Sequence, residues 1–183
     1  MVSNNLLDKI MKRISKLWLM ALTLAGCSSY PELKVVDNVD LNRYLGKWYE
    51  IASFPQSFQK GCFCSTAEYS LTNENYIEVL NTCRKNGVNG EIKQANGKAF
   101  VEPNSNNAKL SVQFFWPFKG KYWIIELAED YSYAVVGHPN RDYLWILSRT
   151  PQMEETVYNS ILEKVKQKGF DITRLNKTSQ ECR

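Results

Sequence analysis

Residues 46–149 alternate short runs rich in aromatic and β-branched side chains with short polar turns. The eight runs cover residues 46–54, 63–71, 76–83, 91–102, 108–115, 120–128, 131–138 and 143–149. Strands that recur at intervals of roughly 8 to 12 residues, with turn signals between them, are typical of a β-sandwich or a β-barrel. A meander of eight strands can close on itself, and closure removes exposed edge strands. The sequence therefore predicts an all-β fold, an eight-stranded antiparallel up-and-down β-barrel.

One segment after the strands has a different period. Its apolar residues recur every four positions, at Met153, Val157, Ile161 and Val165. This spacing is typical of one face of an amphipathic α-helix. Thr150 is a candidate N-cap, and Gly169 is a candidate for the left-handed residue that ends a helix. We predict a C-terminal helix over about 151–168, packed outside the barrel.

The N-terminal region has the pattern of an export signal. A basic segment, residues 12–16, is followed by an apolar run over residues 17–25. A membrane-spanning helix needs about 20 apolar residues, so this run is too short to span and fits the central region of a secretory leader. Residues 1–26 are therefore predicted to be a signal peptide, with Met11 as an alternative start. An uncleaved N-terminal helix is the competing interpretation.

The leader ends in Leu24-Ala25-Gly26-Cys27, which resembles the lipobox of bacterial lipoproteins. The resemblance implies cleavage before Cys27 and attachment of a diacylglycerol to its thiol. Ser28 at the next position implies, by similarity to enterobacterial sorting rules, delivery to the outer membrane. Residues 27–40 are predicted to be the lipidated N-terminus and a tether, and residues 41–183 the barrel, the helix and a C-terminal tail.

The charge balance argues against a nucleic-acid partner. The whole chain has 23 Lys and Arg, 19 Asp and Glu, and a formal net charge of +4. Four of the basic residues and one acidic residue lie in 1–26, so residues 27–183 have a balance of +1. No broad basic surface remains for nucleic acid. Membrane contact is expected through acyl chains at Cys27, and two or more chains anchor stably.

Four cysteines follow the lipobox: Cys62, Cys64, Cys83 and Cys182. An even number in an exported chain predicts two disulfides, for which three pairings exist. Zinc is the alternative, but the Cys62-Phe63-Cys64 spacing is shorter than that of structural zinc sites, and the only histidine, His138, is distant in sequence. We predict no metal and no cofactor.

Three short motifs occur in order along the predicted barrel. Gly46-Lys47-Trp48-Tyr49 opens the first strand, Asp142-Tyr143 precedes the last strand, and Arg149 ends it. The set resembles the three motifs of the lipocalin family, and the surrounding sequence is similar to bacterial outer-membrane lipocalins and to apolipoprotein D. Since the first and last strands run in opposite directions, Trp48 and Arg149 should meet at one end, with the guanidinium across the indole. A structural role is predicted for Gly46, Trp48, Asp142, Tyr143 and Arg149.

The resemblance to apolipoprotein D also implies a disulfide pairing. The position of Cys64 implies Cys64–Cys182, which leaves Cys62–Cys83. The swapped pairing, Cys62–Cys182 with Cys64–Cys83, stays open because Cys62 lies only two residues upstream of Cys64.

Strand parity and loop position predict the cavity lining. The predicted ligand-binding residues are Glu50, Ala52, Phe54, Tyr69, Ile77, Val79, Phe100, Leu110, Val112 and Phe114 on the wall, with Trp116 and Phe118 at the mouth. A carboxylate facing an apolar cavity must pair, hydrate or bind a proton. Glu50 would therefore either meet a ligand's cationic head group or bond to neighbouring Tyr and Arg side chains.

An eight-stranded barrel holds one small ligand. The predicted function is a lipid-anchored outer-membrane lipocalin that binds fatty acids or lysophospholipids for storage, transport or scavenging. The expected partners are that ligand and the membrane, without nucleic acid, and the protein is expected to be a monomer or a weak homodimer rather than an enzyme. Two alternatives remain open: an enzyme with Cys62 or Cys64 as nucleophile, and a structural lipoprotein with a filled barrel.

Overall fold

The computed structural model describes residues 30–182. The strands are β1 (Gly46–Ser53), β2 (Cys62–Leu71), β3 (Ile77–Lys85), β4 (Ile92–Val101), β5 (Lys109–Phe115), β6 (Phe118–Leu127), β7 (Tyr133–Gly137), β8 (Leu144–Ser148) and β9 (Asn176–Lys177). The helices are α1 (Leu41–Tyr44) and α2 (Glu155–Gln167), with 3₁₀ turns at Ser57–Gln59 and Ile172–Arg174. The predicted signal peptide and Cys27 lie outside the described residues. No helix within residues 30–182 has the length and apolar character needed to cross a membrane.

The strands form a closed antiparallel barrel. Each of β2 to β7 pairs with the next strand in sequence, β8 pairs with β1, and β1 pairs with β2. The predicted eight-stranded fold is confirmed. The structure adds β9, which pairs with β1 at Ala52 and Ser53. This strand has only two residues and no apolar alternation, so the sequence pattern did not indicate it.

Helix α2 lies on the outside of the barrel, as predicted, but begins later. Its first residue is Glu155, and the N-cap position, Glu154, makes no side-chain cap. The Thr150 hydroxyl bonds instead to the Gln152 carbonyl, in a turn before the helix. At the other end Gly169 has φ of +87°, the left-handed conformation that ends a helix.

The core has two parts, one on each side of the barrel wall. The helix-side cluster fills the space between the wall and α2 and consists of Leu33, Ile51, Ala52, Phe54, Trp123, Ile125, Val135, Leu144, Ile146, Tyr158, Ile161, Val165 and Phe170. The closed-end cluster lies inside the barrel and consists of Val39, Tyr44, Trp48, Tyr69, Ile77, Val79, Ala99, Ala108, Leu110, Ile124, Ala134, Val136 and Leu147.

The segment before α1 packs on the barrel. Leu33 and Val39 are buried, and backbone bonds join Val36 to Ile124 and Val39 to Asn106. The predicted tether therefore ends before Leu33 and not at residue 40. The sequence pattern missed this because polar residues separate the two buried ones.

A bulge in β1 corrects two of the predicted cavity residues. Glu50 pairs with Leu147 of β8, but Ala52 pairs with the adjacent Ile146, so one extra residue lies between them on β1. An extra residue moves every later side chain to the opposite face of the strand. Ala52 and Phe54 therefore lie in the helix-side cluster and not in the barrel interior.

Phe100 also lies on the outer face of the barrel, contrary to the prediction. Its neighbour Ala99 is buried in the closed-end cluster, so strict alternation along β4 directs Phe100 outwards. Its ring contacts Tyr76, with centroids 6.1 Å apart, and the Lys119 ammonium lies 3.9 Å from its centroid. With Lys98 and the turn 73–76, it lines an outer groove of about 470 Å³.

Candidate functional site: the barrel interior and its mouth

The closed end of the barrel is built around Trp48 and Arg149. The guanidinium carbon of Arg149 lies 3.7 Å from the Trp48 ring centroid. Arg149 also donates to the carbonyls of Lys47 and Arg43, at 2.9 and 2.6 Å, and the indole donates to the Tyr44 carbonyl at 2.8 Å. Gly46 has φ of +84°, a conformation that favours glycine. These contacts support a structural role for the first and third motifs.

The second motif lies at the opposite end, in the turn before β8. The Asp142 carboxylate accepts from the Asn140 amide at 2.6 Å. The Tyr143 ring stacks on Trp145, with centroids 6.1 Å apart, and meets His138 edge to face. Both motif residues therefore make contacts within and next to their own turn, which supports a structural role.

Six of the predicted wall residues face the interior. Tyr69, Ile77, Val79 and Leu110 belong to the closed-end cluster, and Val112 and Phe114 pack against it. Val112 and Phe114 are partly exposed, whereas the four residues of the cluster are buried. An added Cβ at Gly97 would lie 2.8 Å from the Phe114 ring, so glycine lets that ring lie against β4.

Three tyrosine hydroxyls meet inside the barrel. Tyr122 on β6 bonds to Tyr44 at 2.8 Å and to Tyr69 at 2.9 Å. Burial raises the pKa of all three phenols, that of Tyr69 to about 12. Tyr44 and Tyr122 were not among the predicted lining residues, although Tyr122 shares its strand parity with the buried Ile124.

Glu50 is buried and bonded to three protein side chains. Its Oε1 accepts from the Ser53 hydroxyl at 3.1 Å and the Thr178 hydroxyl at 2.6 Å. Its Oε2 accepts from the Gln59 amide at 2.7 Å. These partners differ from the predicted Tyr and Arg neighbours. They satisfy the carboxylate without a ligand's head group.

The C-terminal tail, residues 176–182, fills a gap in the wall between β1 and β2. The two strands pair directly only over Gly46 to Tyr49. Beyond that point the Gln180 amide donates to the Glu50 carbonyl at 2.8 Å and the Ser65 carbonyl at 2.9 Å. The tail therefore supplies hydrogen bonds that the diverging strands no longer give each other.

One disulfide joins the tail to β2, and a second joins β2 to β3. The pairs are Cys64–Cys182 and Cys62–Cys83, the pairing that the family resemblance implied. All four of these cysteines are bonded, so neither Cys62 nor Cys64 carries the free thiol that the enzyme alternative requires. Within residues 30–182, no group of three or more His, Cys, Asp or Glu side chains is placed to hold a metal ion.

Four aromatic side chains at the open end of the barrel are more than 60% exposed. They are Phe58, Phe115, Trp116 and Phe118, with exposed fractions of 65%, 79%, 86% and 77%. Phe58 lies in the loop after β1, and the other three surround the turn between β5 and β6. Large exposed apolar side chains at one place mark an interaction site. The predicted mouth residues Trp116 and Phe118 thus lie at the entrance of the barrel.

Comparison with known proteins agrees with this architecture. Residues 39–180 match the Lipocalin-like domain family. The outer membrane lipoprotein Blc of Vibrio cholerae is 44% identical over 165 residues, 89% of this chain and 96% of that protein. Bovine apolipoprotein D is 35% identical over 159 residues, 82% of each chain.

Among solved structures, insecticyanin from the tobacco hornworm has the same fold. It aligns with a TM-score of 0.65 at 23% identity, over 81% of this chain and 85% of its own. The closed barrel, the outer helix, the family match and the relatives agree, and the chain belongs to the lipocalin family.

Proposed function

We propose that this protein is a lipid-anchored outer-membrane lipocalin that binds single-chain lipids, fatty acids or lysophospholipids, in its barrel. One observation supports the proposal above all. The barrel is closed at one end by Trp48 and Arg149, and its apolar inner wall is partly exposed at Val112 and Phe114. The aromatic side chains around the open end extend this apolar surface outwards. Storage, transport or scavenging of such lipids in the envelope would use the same cavity.

The physical chemistry of the wall favours an acyl chain as ligand. Burying one CH₂ contributes about 0.8 kcal/mol, so a tail of roughly a dozen carbons contributes about 10 kcal/mol before the cost of association. A neutral hydrogen bond to the head group adds only about 1 kcal/mol. We expect the chain to dominate the affinity and the protein to discriminate weakly between head groups.

The anchoring part of the proposal rests on the lipobox-like sequence at Cys27 and on the similarity to an outer membrane lipoprotein. The chain packs on the barrel from Leu33, so about five residues separate Cys27 from the folded unit. At ~3.3–3.6 Å per residue they span at most roughly 18 Å. The barrel would therefore be held close to the membrane surface.

Titration tests the binding part. The chain from Glu32 onwards forms one compact unit that contains all the described strands, helices and disulfides, so residues 28–183 are a suitable soluble form. We expect saturable changes in tryptophan fluorescence with lysophosphatidylcholine and with hexadecanoic acid. If neither lipid gives a saturable change, the carrier function is wrong and the filled-barrel alternative gains support.

Metabolic labelling tests the anchor. In a Gram-negative host, the full chain should incorporate labelled palmitate and fractionate with the outer membrane. The variant Cys27→Ser should lose both properties, while Ser28→Ala, a matched control at the next position, should keep the label. Labelling that persists in Cys27→Ser would refute the assignment of the anchor to this thiol.

A further inference from the structure

The hydroxyls of the three tyrosines inside the barrel carry one more hydrogen than the number of hydrogen bonds that they make. Their hydroxyls carry three hydrogens, and two bonds connect them, Tyr44 to Tyr122 and Tyr69 to Tyr122. Within residues 30–182 these hydroxyls make no other hydrogen bond. Whichever way the two bonds are oriented, one O–H hydrogen of the tyrosine cluster (Tyr44, Tyr69 and Tyr122) lacks a protein acceptor.

The cluster is uncharged under ordinary conditions. Burial raises the pKa of each phenol above its usual value of 10.0, so the hydroxyls keep their protons near neutral pH. The cation that acts on Tyr44, Arg149, lies across Trp48 and is bonded to two backbone carbonyls. Since burying a carboxylate without a cation is costly, the cluster suits a neutral oxygen and not an acidic head group.

The cluster lies where the chain of a bound lipid would pass. Tyr122 is four residues below Phe118 at the rim, which corresponds to roughly 13 Å along the strand. Tyr122, Val112 and Phe114 are all partly exposed and pack around the closed-end cluster. An acyl chain that enters past Phe118 with its head group at the mouth would therefore reach the hydroxyls with its middle or its far end.

We propose that the unpaired O–H hydrogen of the tyrosine cluster donates to an oxygen on the ligand's acyl chain, so that the barrel favours hydroxylated single-chain lipids over their unsubstituted counterparts. This inference rests on the proposed function and adds the chemical class of its ligand. An unsubstituted acyl chain buries the tyrosine O–H donor but offers it no acceptor. Burial of an unsatisfied donor opposes binding. An oxygen at the right depth removes that cost.

Calorimetric titration of residues 28–183 with matched acids tests the proposal on the unaltered protein. The probes are dodecanoic, tetradecanoic and hexadecanoic acid, each with its ω-hydroxy and ω-methoxy counterparts. At the chain length that reaches the cluster, we expect the ω-hydroxy acid to bind about fivefold tighter than the parent acid, equivalent to about 1 kcal/mol. The ω-methoxy acid should keep most of this gain, because its oxygen accepts but cannot donate.

Two variants test whether the tighter binding of the ω-hydroxy acid depends on the tyrosine hydroxyls. Replacing Tyr44, Tyr69 and Tyr122 together by Phe removes all three hydroxyls, so the ratio of the affinities for the ω-hydroxy and parent acids should fall to about one. Tyr44→Phe alone leaves two hydroxyls, one bond and one unpaired hydrogen, and should keep the preference. If the preference depends on an unpaired hydroxyl hydrogen, this variant keeps it. If any change to the cluster abolished the preference, this variant would lose it as well.

The outcomes separate this inference from the proposed function. Equal affinities for parent and ω-hydroxy acids at every chain length would overturn the inference alone, since binding itself would be present. A preference that survives in the triple variant would also overturn it. Absence of saturable binding by all the acids would overturn the proposed function and the inference with it. The ligand series on the unaltered protein decides the matter even if the triple variant does not fold.

Discussion

The guanidinium carbon of Arg149 lies 3.7 Å from the centroid of the Trp48 indole ring, and the same guanidinium donates to the carbonyls of Lys47 and Arg43. One side chain thus joins the start of β1, the end of α1 and the residue after β8 at the closed end of the barrel. This arrangement is a stabilising contact at the base, distant from the mouth.

Replacing Arg149 should therefore affect stability and not ligand binding. Arg149→Ala removes a cation–π contact and two charge-assisted hydrogen bonds, so we expect a loss of about 2–4 kcal/mol in the free energy of unfolding. Urea denaturation followed by tryptophan fluorescence measures it. Lys47→Ala, at a neighbouring exposed position, should change stability by less than about 0.5 kcal/mol. A large loss of lipid affinity in folded Arg149→Ala would contradict the structural assignment.

The two disulfides should contribute unequally to stability. Cys64–Cys182 closes a loop with a separation of 118 residues, whereas Cys62–Cys83 closes one of 21. In the chain-entropy description, replacing the first pair by serines costs about 4–5 kcal/mol and replacing the second costs about 3 kcal/mol.

Urea denaturation of the two double variants measures these costs. Mass spectrometry of unreduced peptides checks that the remaining bridge is the expected one. A bridge between Cys62 and Cys182 in the unaltered protein would show that the pairing described here is wrong.

Glu50→Gln should weaken the attachment of the tail. The carboxylate accepts from Ser53, Gln59 and Thr178. A glutamine has one acceptor oxygen fewer and places its own donors against a neighbouring donor. We expect a loss of about 1–3 kcal/mol in the free energy of unfolding, measured by urea denaturation.

The matched control is Glu68→Gln, which replaces an exposed carboxylate on β2 and should leave stability nearly unchanged. Faster proteolysis of the last residues in Glu50→Gln would identify the tail as the affected element. Equal stability of the two variants would contradict the role given to Glu50.

The tyrosine cluster predicts loss of stability at high pH. Burial raises the pKa of Tyr69 from 10.0 to about 12 in the folded protein, so the folded state favours the neutral phenol. This stabilisation is complete below pH 10, the unfolded value, and is lost as pH rises through the folded value.

The free energy of unfolding should therefore fall by about 1.4 kcal/mol per pH unit for each such tyrosine across this range. Urea denaturation over a pH series measures the slope. Tyr69→Phe should make this slope shallower, whereas Tyr30→Phe, at an exposed tyrosine, should not. An unchanged slope in Tyr69→Phe would contradict the assignment.

Trp116 should contribute to lipid binding without contributing to stability. It is the most exposed of the four mouth aromatics, so Trp116→Ala should leave the free energy of unfolding within about 0.5 kcal/mol of the parent value. Its ring can cover the part of an acyl chain that leaves the barrel, so we expect a roughly threefold to tenfold loss of affinity for lysophosphatidylcholine. Leu71→Ala, at an exposed apolar residue of the closed end, is the control. Equal affinities of the two variants for lysophosphatidylcholine would show that Trp116 does not contribute to lipid binding.

The strand order, the outer helix and the Trp48–Arg149 contact could be predicted because each depends on a local pattern or on the direction of neighbouring strands. The faces of Ala52 and Phe54 could not, because the bulge after Glu50 depends on how β1 meets β8. The face of Phe100 was also predicted wrongly, because the small Ala99 and not the large aromatic ring faces inwards. A sequence pattern ranks residues by size and polarity, but the pleat of the strand decides which one is buried.

Tertiary contacts also determine the polar part of the site. Tyr44 and Tyr122 lie 78 residues apart, and their hydroxyls come within 2.8 Å only because α1 and β6 meet in the closed barrel. Besides Ser53 on its own strand, the partners of Glu50 are Gln59 in the turn after β1 and Thr178 in the tail, two segments without a periodic pattern. The carboxylate could be recognised as buried from the sequence, but its partners could not be named.

The bonds of Gln180 to the carbonyls of Glu50 and Ser65 also constrain when the protein can finish folding. The group that bridges β1 and β2 here lies 130 positions after Glu50 in the chain. A nascent chain can pair its middle strands, but the wall between β1 and β2 stays incomplete until residues 176–182 have been synthesised. Completion of the barrel is thereby postponed until this late segment is available to the first strand.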